Sequence, residues 1–536
     1  MNPTKKLEPK ASERSGSFLV AAGIFLSRIA GLIRQRIFAH YFGNSDAGDA
    51  FYSALKIPNF LQNLFGEGVL SASFIPVYAE LLGKENQKDE EEAQKIACVI
   101  GTLLALLTSL VVVIGILATP FLIDLIAPGF IGEKRLLTIR LVQIFFPGIA
   151  MLVLSAWCLG ILNSHRKFFL SYAAPVVWNA AIIFTLVFFG RNHDQTHLAV
   201  HAAWGLVVGS ALQFGVQLPM TLKLLKKWRF DLSIHLSGVQ TILKNFLPVV
   251  IARGVVQISA YIDNVLASFL PSGAVSALAY AQSIYMLPIS LFGMAVSAAE
   301  LPAMSKVKGS TEEVASQLRI RINAGLKQIS FFIVPSIAGF LILGDVIVAL
   351  LYQSGEFTRE NSNFVWIVLA GSTIGLLATT LGRLYTSAFY SIKDTRTPLR
   401  FAVLRVTLTV SLGYLFGLKI PVLLGFPAYV GTAGLTASAG IAGWVEFILL
   451  RRCLNKKIGS TGVSIFFMTK LWGSALLSAV LGFGIKTFLF KEGHFPVIRG
   501  LVVLFPFGLS YFIFTALLGV DESKRFLRSI RIPKRR

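Results

Sequence analysis

Charged residues are scarce in this sequence of 536 residues. Only 14% of the residues are Asp, Glu, Lys or Arg, whereas a soluble domain carries about a quarter. Hydrophobic residues make up 54% of the chain, and no polar stretch is long enough to form a separate globular domain. The shortage of charge excludes an ordinary soluble protein and predicts a polytopic membrane protein.

Cysteine, histidine and the common catalytic motifs are also scarce. The three cysteines have neither the spacing of metal ligands nor that of a disulfide framework, and the seven histidines are scattered. The sequence contains no Walker loop and no HExxH, GxSxG or EF-hand pattern. We therefore expect no metal, no cofactor and no enzymatic activity. A transporter without an ATPase motif would use an ion gradient, the membrane potential or the gradient of its own substrate.

Acidic residues are outnumbered by basic ones, 27 against 50, which gives a formal net charge of +23. Most of the basic residues lie in short connections on one side of about fourteen apolar segments, and only a few, such as Lys134 and Arg191, lie on the other. This placement argues against nucleic acid as a partner. It predicts a multi-pass protein with both termini in the cytoplasm, and the basic N-terminus is typical of a cytoplasmic leader.

The apolar segments repeat along the chain. The third segment is followed by LIDLIAPGF, which ends at Phe130, and the ninth by VALLYQSGEF, which ends at Phe357 (357 − 130 = 227). The fourth and tenth segments end at Ser164 and Ser391, again 227 apart (391 − 164). The second segment, IPNFLQNLFGEGVLSASFIP, also resembles the eighth, LPISLFGMAVSAAELP. A repeat of six spans gives both copies the same topology.

This repeat predicts the architecture: an all-α polytopic membrane protein of about 14 transmembrane helices. Two pseudo-symmetric six-helix lobes would surround a central cavity, and two C-terminal helices would follow. We assign residues 1–230 to the N-lobe, residues 231–455 to the C-lobe, and residues 456–536 to the last two helices with a basic cytoplasmic tail.

Two arginines lie within the first apolar segment, SFLVAAGIFLSRIAGLIRQRIFAHYFG. A charge at the centre of a bilayer costs roughly 2.5–3.5 kcal/mol on insertion scales. Arg28 is too deep to snorkel comfortably to the interface, whereas Arg34 is nearer to the end of the segment. The pattern favours a cavity wall that binds an anionic substrate.

The second segment adds three charged residues. Asp49 opens it, either as an acid that stabilises a helix N-terminus or as the partner that orients an arginine. Lys56 and Glu67 are 11 residues apart (67 − 56), which places them about 20° from the same helix face. Both are expected to point inward, and a structural ion pair is the alternative for Glu67.

Further charges lie in the apolar segments of the second lobe. Arg253 and Asp263 share the seventh segment, and Glu300 closes the eighth. Asp263 and Glu300 are candidates for ion binding or gating. For each of these residues a salt bridge that joins two helices is the alternative, as it is for Arg383, Arg405 and Glu446.

In the motifs of its first five apolar segments the chain resembles the MviN/MurJ family. The resemblance is carried by SRIAGLIRQRIFAHYFG, DAFYSALKIPNFLQNLFGEGVLSASFIPVYAE, IAPGF and LNSHRKFFLSYAAPVVWN. Members are lipid II flippases of the multidrug/oligosaccharidyl-lipid/polysaccharide exporter superfamily. The resemblance covers nearly the whole chain and is densest in residues 20–180.

The resemblance implies transport of lipid II, the undecaprenyl-diphosphate-linked muropeptide, across the bacterial cytoplasmic (inner) membrane for cell wall synthesis. It implies a cationic cavity and a groove for the lipid tail between the last two helices. Membrane lipids would be further partners, with a monovalent cation or the membrane potential as driving force. It assigns the substrate site to Arg28, Arg34, Asp49, Lys56 and Glu67.

The sequence departs from the family pattern at two cavity positions. An arginine expected after IPNFL falls on Gln62 or Asn63, and one expected in YAQSIYMLP falls on Ser283. Arg253, one helix earlier, is the candidate replacement and completes the predicted substrate site. Asp263 is the only obvious acidic candidate for a sodium site in the second lobe.

Two other functions are considered beside flipping of lipid II. The departures at the cavity positions leave open an exporter of another lipid-linked glycan or of an amphipathic small molecule. A membrane-embedded transferase would need a cluster of catalytic acids near a membrane face, and the sequence shows no such constellation.

Overall fold

The structure is a computed structural model. It describes residues 11–84, 86–191, 194–226, 228–427, 429–489 and 495–524. Within the helices, the side chains of residues 11–21, 67, 247 and 251–260 lie outside this description. The described backbone is helical apart from short connections, and one isolated bridge joins Ser354 to Phe357.

The chain divides into two compact units after Val265. The helices of the first unit are α1 (Ala11–Phe42), α2 (Asp46–Ala54), α3 (Lys56–Phe65), α4 (Glu67–Leu82), α5 (Gln87–Ile126), α6 (Gly132–Ser164), α7 (Phe168–Phe189), α8 (Gln195–Leu224) and α9 (Ser237–Ser268). Only the last turn of α9 extends into the second unit.

The second unit contains two short π-helical segments among its α-helices. Its elements are α10 (Ala274–Pro288), the first π-helical segment (Ile289–Met294), α11 (Ala295–Ser305), α12 (Thr311–Ile342), α13 (Gly344–Tyr352), α14 (Arg359–Ser391), α15 (Arg396–Gly413), the second π-helical segment (Tyr414–Lys419), α16 (Ile420–Leu423), α17 (Tyr429–Ile458), α18 (Ile465–Leu489) and α19 (Pro496–Leu517).

Among the described residues, 11 helical segments are long and apolar enough to cross a membrane. They correspond to the third to sixth and the eighth to fourteenth of the predicted apolar segments. The prediction of an all-α polytopic membrane protein is confirmed.

The second predicted segment is three short helices rather than one continuous span. Pro58 has no N–H to offer the carbonyl of Ala54, and its ring crowds that oxygen, so α2 ends at Ala54 and α3 begins at Lys56. The second interruption is at Gly66, where an added Cβ would lie 2.3 Å from the carbonyl oxygen of Gln62. Only glycine fits there, and α4 begins one residue later.

The repeat found in the sequence is visible in the helix bounds of the two units. Helices α6 and α14 both have 33 residues, and their first and last residues differ by 227 (359 − 132 and 391 − 164). The turns after them contain residues with positive φ, Arg166 (58°) and Lys393 (61°), also 227 apart. Gly66 and Gly293 lie at the same offset, and both mark a departure from regular α-helix.

The division between the units falls 35 residues after the predicted lobe boundary at residue 230 (265 − 230). Hydrogen bonds explain why most of α9 belongs with the first unit. The Tyr261 hydroxyl donates to the carbonyl of Lys56 at 2.6 Å. Asn264 accepts a hydrogen bond from Ser53 at 3.4 Å and donates to the carbonyl of Ile126 at 3.1 Å.

The last two helices, α18 and α19, pack against α12 and α13 within the second unit. Phe331, Val334, Leu471 and Tyr511 belong to one buried cluster at this junction. The Tyr511 hydroxyl donates to the carbonyl of Phe331 at 2.6 Å, so a buried polar group is satisfied across the contact. Apolar packing and this hydrogen bond therefore attach α18 and α19 to the rest of the second unit.

Candidate substrate site

Arg34 is held on α1 by an aromatic ring of the neighbouring helix α7. Its guanidinium carbon lies 4.8 Å from the centroid of the Trp178 ring. Such cation–π contacts contribute about 0.5–1 kcal/mol at exposed sites and more when they are desolvated. Arg34 is half-buried, and the indole ring orients its guanidinium.

Arg28 is the more accessible of the two predicted arginines. It is exposed on α1, 14 residues before the last residue, Phe42 (42 − 28), or about 21 Å along the helix axis. Within the described part of the chain it has no hydrogen bond or ion pair. A guanidinium at this depth is stable only where water or an anion reaches it.

Asp49 is buried, with 1% of its side chain exposed, and forms an ion pair with a lysine of α6. The Nζ atom of Lys134 lies 2.7 Å from Oδ2 of Asp49 and 2.8 Å from Oδ1 of Asp46. The same ammonium lies 4.3 Å from the centroid of the Phe130 ring. Asp49 also lies in the first turn of α2, where a negative charge is favourable.

The structure brings Lys56 and Asp263 together, which the sequence analysis did not pair. Lys56 opens α3 and is half-buried, and the carboxylate of Asp263 on α9 is close enough to interact with its charge. The backbone of Lys56 accepts the hydrogen bond from Tyr261, two residues before Asp263. The broken second segment and the end of α9 therefore share one charged contact.

The remaining predicted positions are less informative. Glu67 is the first residue of α4 and Arg253 lies in the middle of α9, and the side chains of both lie outside the described residues. Glu300 accepts a hydrogen bond from the guanidinium of Arg321 at 3.2 Å, which joins α11 to α12. The hydroxyl of Ser283 donates to the carbonyl of Ala279 at 3.0 Å.

The sequence analysis missed two partners of the predicted site. Trp178 was not singled out because an aromatic residue in an apolar segment gives no signal of its own. Lys134 was assigned to a loop on the sparsely charged side of the membrane, whereas it pairs with the buried Asp49. Among the described residues, no group of three or more His, Cys, Asp and Glu could hold a metal ion.

The fold and the site together define a class of protein. A repeated helical pattern, eleven described helices that are long and apolar enough to cross a membrane, and guanidinium groups within such helices are the features of a repeat-built membrane transporter. The chain belongs to the lipid II flippase MurJ family, whose model matches residues 38–499.

Relatives and solved structures agree with this assignment. The chain is 31% identical to the lipid II flippase MurJ of Burkholderia cenocepacia, over 86% of this chain and 88% of that protein. It is 30% identical to a probable lipid II flippase MurJ of Rickettsia prowazekii, over 87% and 89%. A solved structure of lipid II flippase MurJ in an inward closed conformation matches 94% of this chain and 99% of its own, with a TM-score of 0.75 and 26% identity.

A more distant likeness shows the shared fold alone. An inward-facing multidrug resistance MATE family transporter of the MOP superfamily matches 80% of this chain and 96% of its own. The TM-score is 0.61 and the identity 18%.

Proposed function

We propose that this protein flips lipid II from the cytoplasmic to the outer leaflet of the bacterial cytoplasmic membrane and so supplies cell wall synthesis. The substrate would cross by alternating access and leave chemically unchanged. Family membership supports the choice of substrate. The observation that carries the proposal is Arg28, an exposed guanidinium on the apolar helix α1, the first predicted span, because a diphosphate is the kind of anion that would stabilise it there.

The predicted site residues of the first unit and their partners have separate roles in this proposal. Arg28 and Arg34 bind the diphosphate, and Trp178 orients Arg34. Lys134 holds Asp49 and thereby ties the start of α2 to the start of α6. Glu67 lies at the interruption between α3 and α4, where a helix can change direction.

Lys56 and Asp263 would act as the moving pair of the transport cycle. Their charges interact, so a small shift of α3 relative to α9 would change the strength of the contact. A monovalent cation or the membrane potential would drive the cycle, with Asp263 and Glu300 as the candidate coupling groups. Both termini would lie in the cytoplasm, as the distribution of basic residues indicates.

We propose three functional divisions. The two lobes are residues 1–230 and 231–455, and residues 456–536 form the groove for the undecaprenyl tail. Exposed large apolar residues of α18 and α19, among them Phe466, Val480 and Phe505, support an apolar surface beside the second unit. Surrounding membrane lipids would compete for this surface.

A second candidate is an exporter of another lipid-linked glycan. It is favoured by the uncharged residues at the two family arginine positions, because the half-buried Gln62 and Ser283 and the exposed Asn63 supply no cation. Depletion of the protein in its own host separates the two functions. Accumulation of lipid II on the cytoplasmic leaflet is the expected result, and normal distribution of lipid II would favour the other exporter.

Substitution of the two arginines tests the site itself. Arg28→Ala and Arg34→Ala should each abolish complementation of the depleted strain while the protein still inserts, because charge-assisted contacts to the diphosphate are lost. Arg→Lys should rescue only partially, since a point charge replaces a bidentate fork. Leu32→Ala, an exposed position on the same helix, is the matched control and should complement fully. Full function of both arginine-to-alanine variants at normal abundance would refute the assignment.

A further inference from the structure

Two helices of the second unit, α14 and α17, approach so closely that their backbones touch. A Cβ added to Gly375 would lie 2.4 Å from the Cα atom of Gly440, and one added to Gly443 would lie 3.1 Å from the hydroxyl of Thr379. The contact positions advance together along both helices, by about one turn from the first contact to the second. The next turn therefore places residue 383 of α14 beside residues 446–447 of α17.

Three charged side chains meet at this next turn. Arg405 of α15 donates a hydrogen bond from its guanidinium to Oε2 of Glu446 at 3.0 Å. Arg383 interacts electrostatically with both of them and with Tyr285 of α10. Two guanidinium groups thus lie near one carboxylate, which pairs with Arg405, and the cluster carries a net charge of +1.

The cluster lies at the depth of the hydrocarbon core. Arg405 and Glu446 are within about 7 Å of the midpoints of their spanning segments, Arg396–Leu423 and Tyr429–Ile458. Glu446 compensates Arg405, with 15% of the carboxylate side chain exposed. The remaining charge belongs to Arg383, which is exposed and has no hydrogen bond or ion pair with any described residue.

The groups around Arg383 leave its charge uncompensated. The hydroxyl of Tyr285 lies near Thr379, one turn before Arg383 on the same face of α14. The rings of Tyr385 and Phe447 pack edge to face at 5.6 Å beside the cluster. An exposed guanidinium with an uncompensated charge at membrane depth is the main feature of an anion-binding site.

We propose that Arg383, beside the Arg405–Glu446 pair, binds an oxyanion of the transported lipid, either its diphosphate or a carboxylate of its peptide. This inference rests on the proposed function. A guanidinium matches both anions through two parallel N–H donors. Glu446 limits the net charge to one cation, so the substrate is held in the second unit weakly enough to leave again.

Binding by the purified full-length protein in detergent tests the site. Native mass spectrometry would follow titrations with three probes: lipid II, undecaprenyl diphosphate and phosphatidylglycerol. Arg383→Gln should weaken binding of lipid II by roughly tenfold or more, the effect of losing a hydrogen bond to a charged group. Arg400→Gln is the matched control, an exposed arginine on the helix that carries Arg405, and should bind like the wild type.

The probes separate the two anions of the substrate. Loss of both lipid II and undecaprenyl diphosphate binding assigns Arg383 to the diphosphate, whereas loss confined to lipid II assigns it to a peptide carboxylate. Glu446→Gln should change affinity in the opposite direction and tighten binding, because two uncompensated guanidinium groups then face the anion. A purely structural role of the cluster does not predict this reversal.

Three results would overturn the inference. Unchanged lipid II binding by Arg383→Gln excludes the site, and so does a loss confined to phosphatidylglycerol, which would identify a position for a membrane-lipid headgroup. If Arg383→Gln does not fold, Arg383→Lys replaces it, because lysine keeps the charge but lacks the two parallel N–H donors. Wild-type affinity for lipid II in Arg383→Lys, together with unchanged affinity in Glu446→Gln, contradicts the inference. A folded wild-type protein that binds neither lipid II nor undecaprenyl diphosphate contradicts the proposed function itself.

Discussion

Gly375→Ala should destabilise the second unit because the added methyl group meets backbone rather than a flexible side chain. The new Cβ would lie 2.4 Å from the Cα atom of Gly440, about 1 Å closer than ordinary van der Waals contact. Helices α14 and α17 must therefore separate. Overpacking of this kind costs about 1–3 kcal/mol, and the better helix propensity of alanine offsets about 1 kcal/mol of it.

Gly382→Ala is the matched control on the same helix. An added Cβ at Gly382 has no neighbour within 4 Å among the described residues, so this variant gains helix propensity without a clash. The propensity term cancels between the two variants, and the free energy of unfolding should differ by the overpacking cost alone, about 1–3 kcal/mol.

Thermal unfolding of the detergent-solubilised protein, followed by intrinsic fluorescence, measures this difference. We expect Gly375→Ala to melt below Gly382→Ala and to flip lipid II more slowly, because separation of α14 and α17 also moves Arg383 away from Glu446. Equal melting temperatures for the two variants would refute the close approach of the helices.

The remaining predictions concern Arg253, the last two helices and the ion pair between Lys457 and Asp394. Arg253→Ala should reduce flipping if Arg253 replaces the missing family arginine, and a neutral phenotype beside a rescue by Ser283→Arg in a weakened background would refute this. Gly484→Gln, at a position where an added Cβ meets nothing within 4 Å among the described residues, should reduce leaflet-resolved flipping of lipid II at normal expression if the tail lies there. Wild-type flipping by a protein truncated before the last two helices would rule the groove out. A hydrogen bond from Lys457 and a weaker contribution from the backbone N–H of Thr397 lower the pKa of Asp394 to about 2. A carboxyl with a lowered pKa stabilises the folded state above its unfolded pKa of about 4 and loses this contribution as the pH falls to about 2. Lys457→Met should therefore flatten the loss of thermal stability between pH 4 and pH 2, and an unchanged pH profile would contradict the pairing.

Sequence reasoning was most successful for features that depend on local composition and spacing. The apolar segments, the positions of Arg28 and Arg34 and the 227-residue repeat all follow from residue type and order. The helices α6 and α14 reproduce the repeat residue for residue because the same turn chemistry ends both. The predicted second span is interrupted at Leu55 and Gly66, although Pro58 and the glycine were visible in the sequence.

Side-chain partners were beyond the reach of the sequence. Nothing in the order of residues connects Lys134 with Asp49, 85 residues apart, or Lys56 with Asp263, 207 residues apart (263 − 56). The same holds for Arg34 and Trp178, which meet because α1 packs along α7. These pairs decide whether a buried charge is compensated or open to a ligand.

The amino-acid sequence by itself determined that this is a membrane protein, where most of its spans lie and that it repeats, because the cost of placing charge and unpaired backbone in lipid depends on composition and segment length. The tertiary structure alone decided which arginines are compensated. Arg405 is paired with Glu446 and Arg383 is not, because the contact of Gly375 with Gly440 sets the register of two helices about 65 residues apart in the chain.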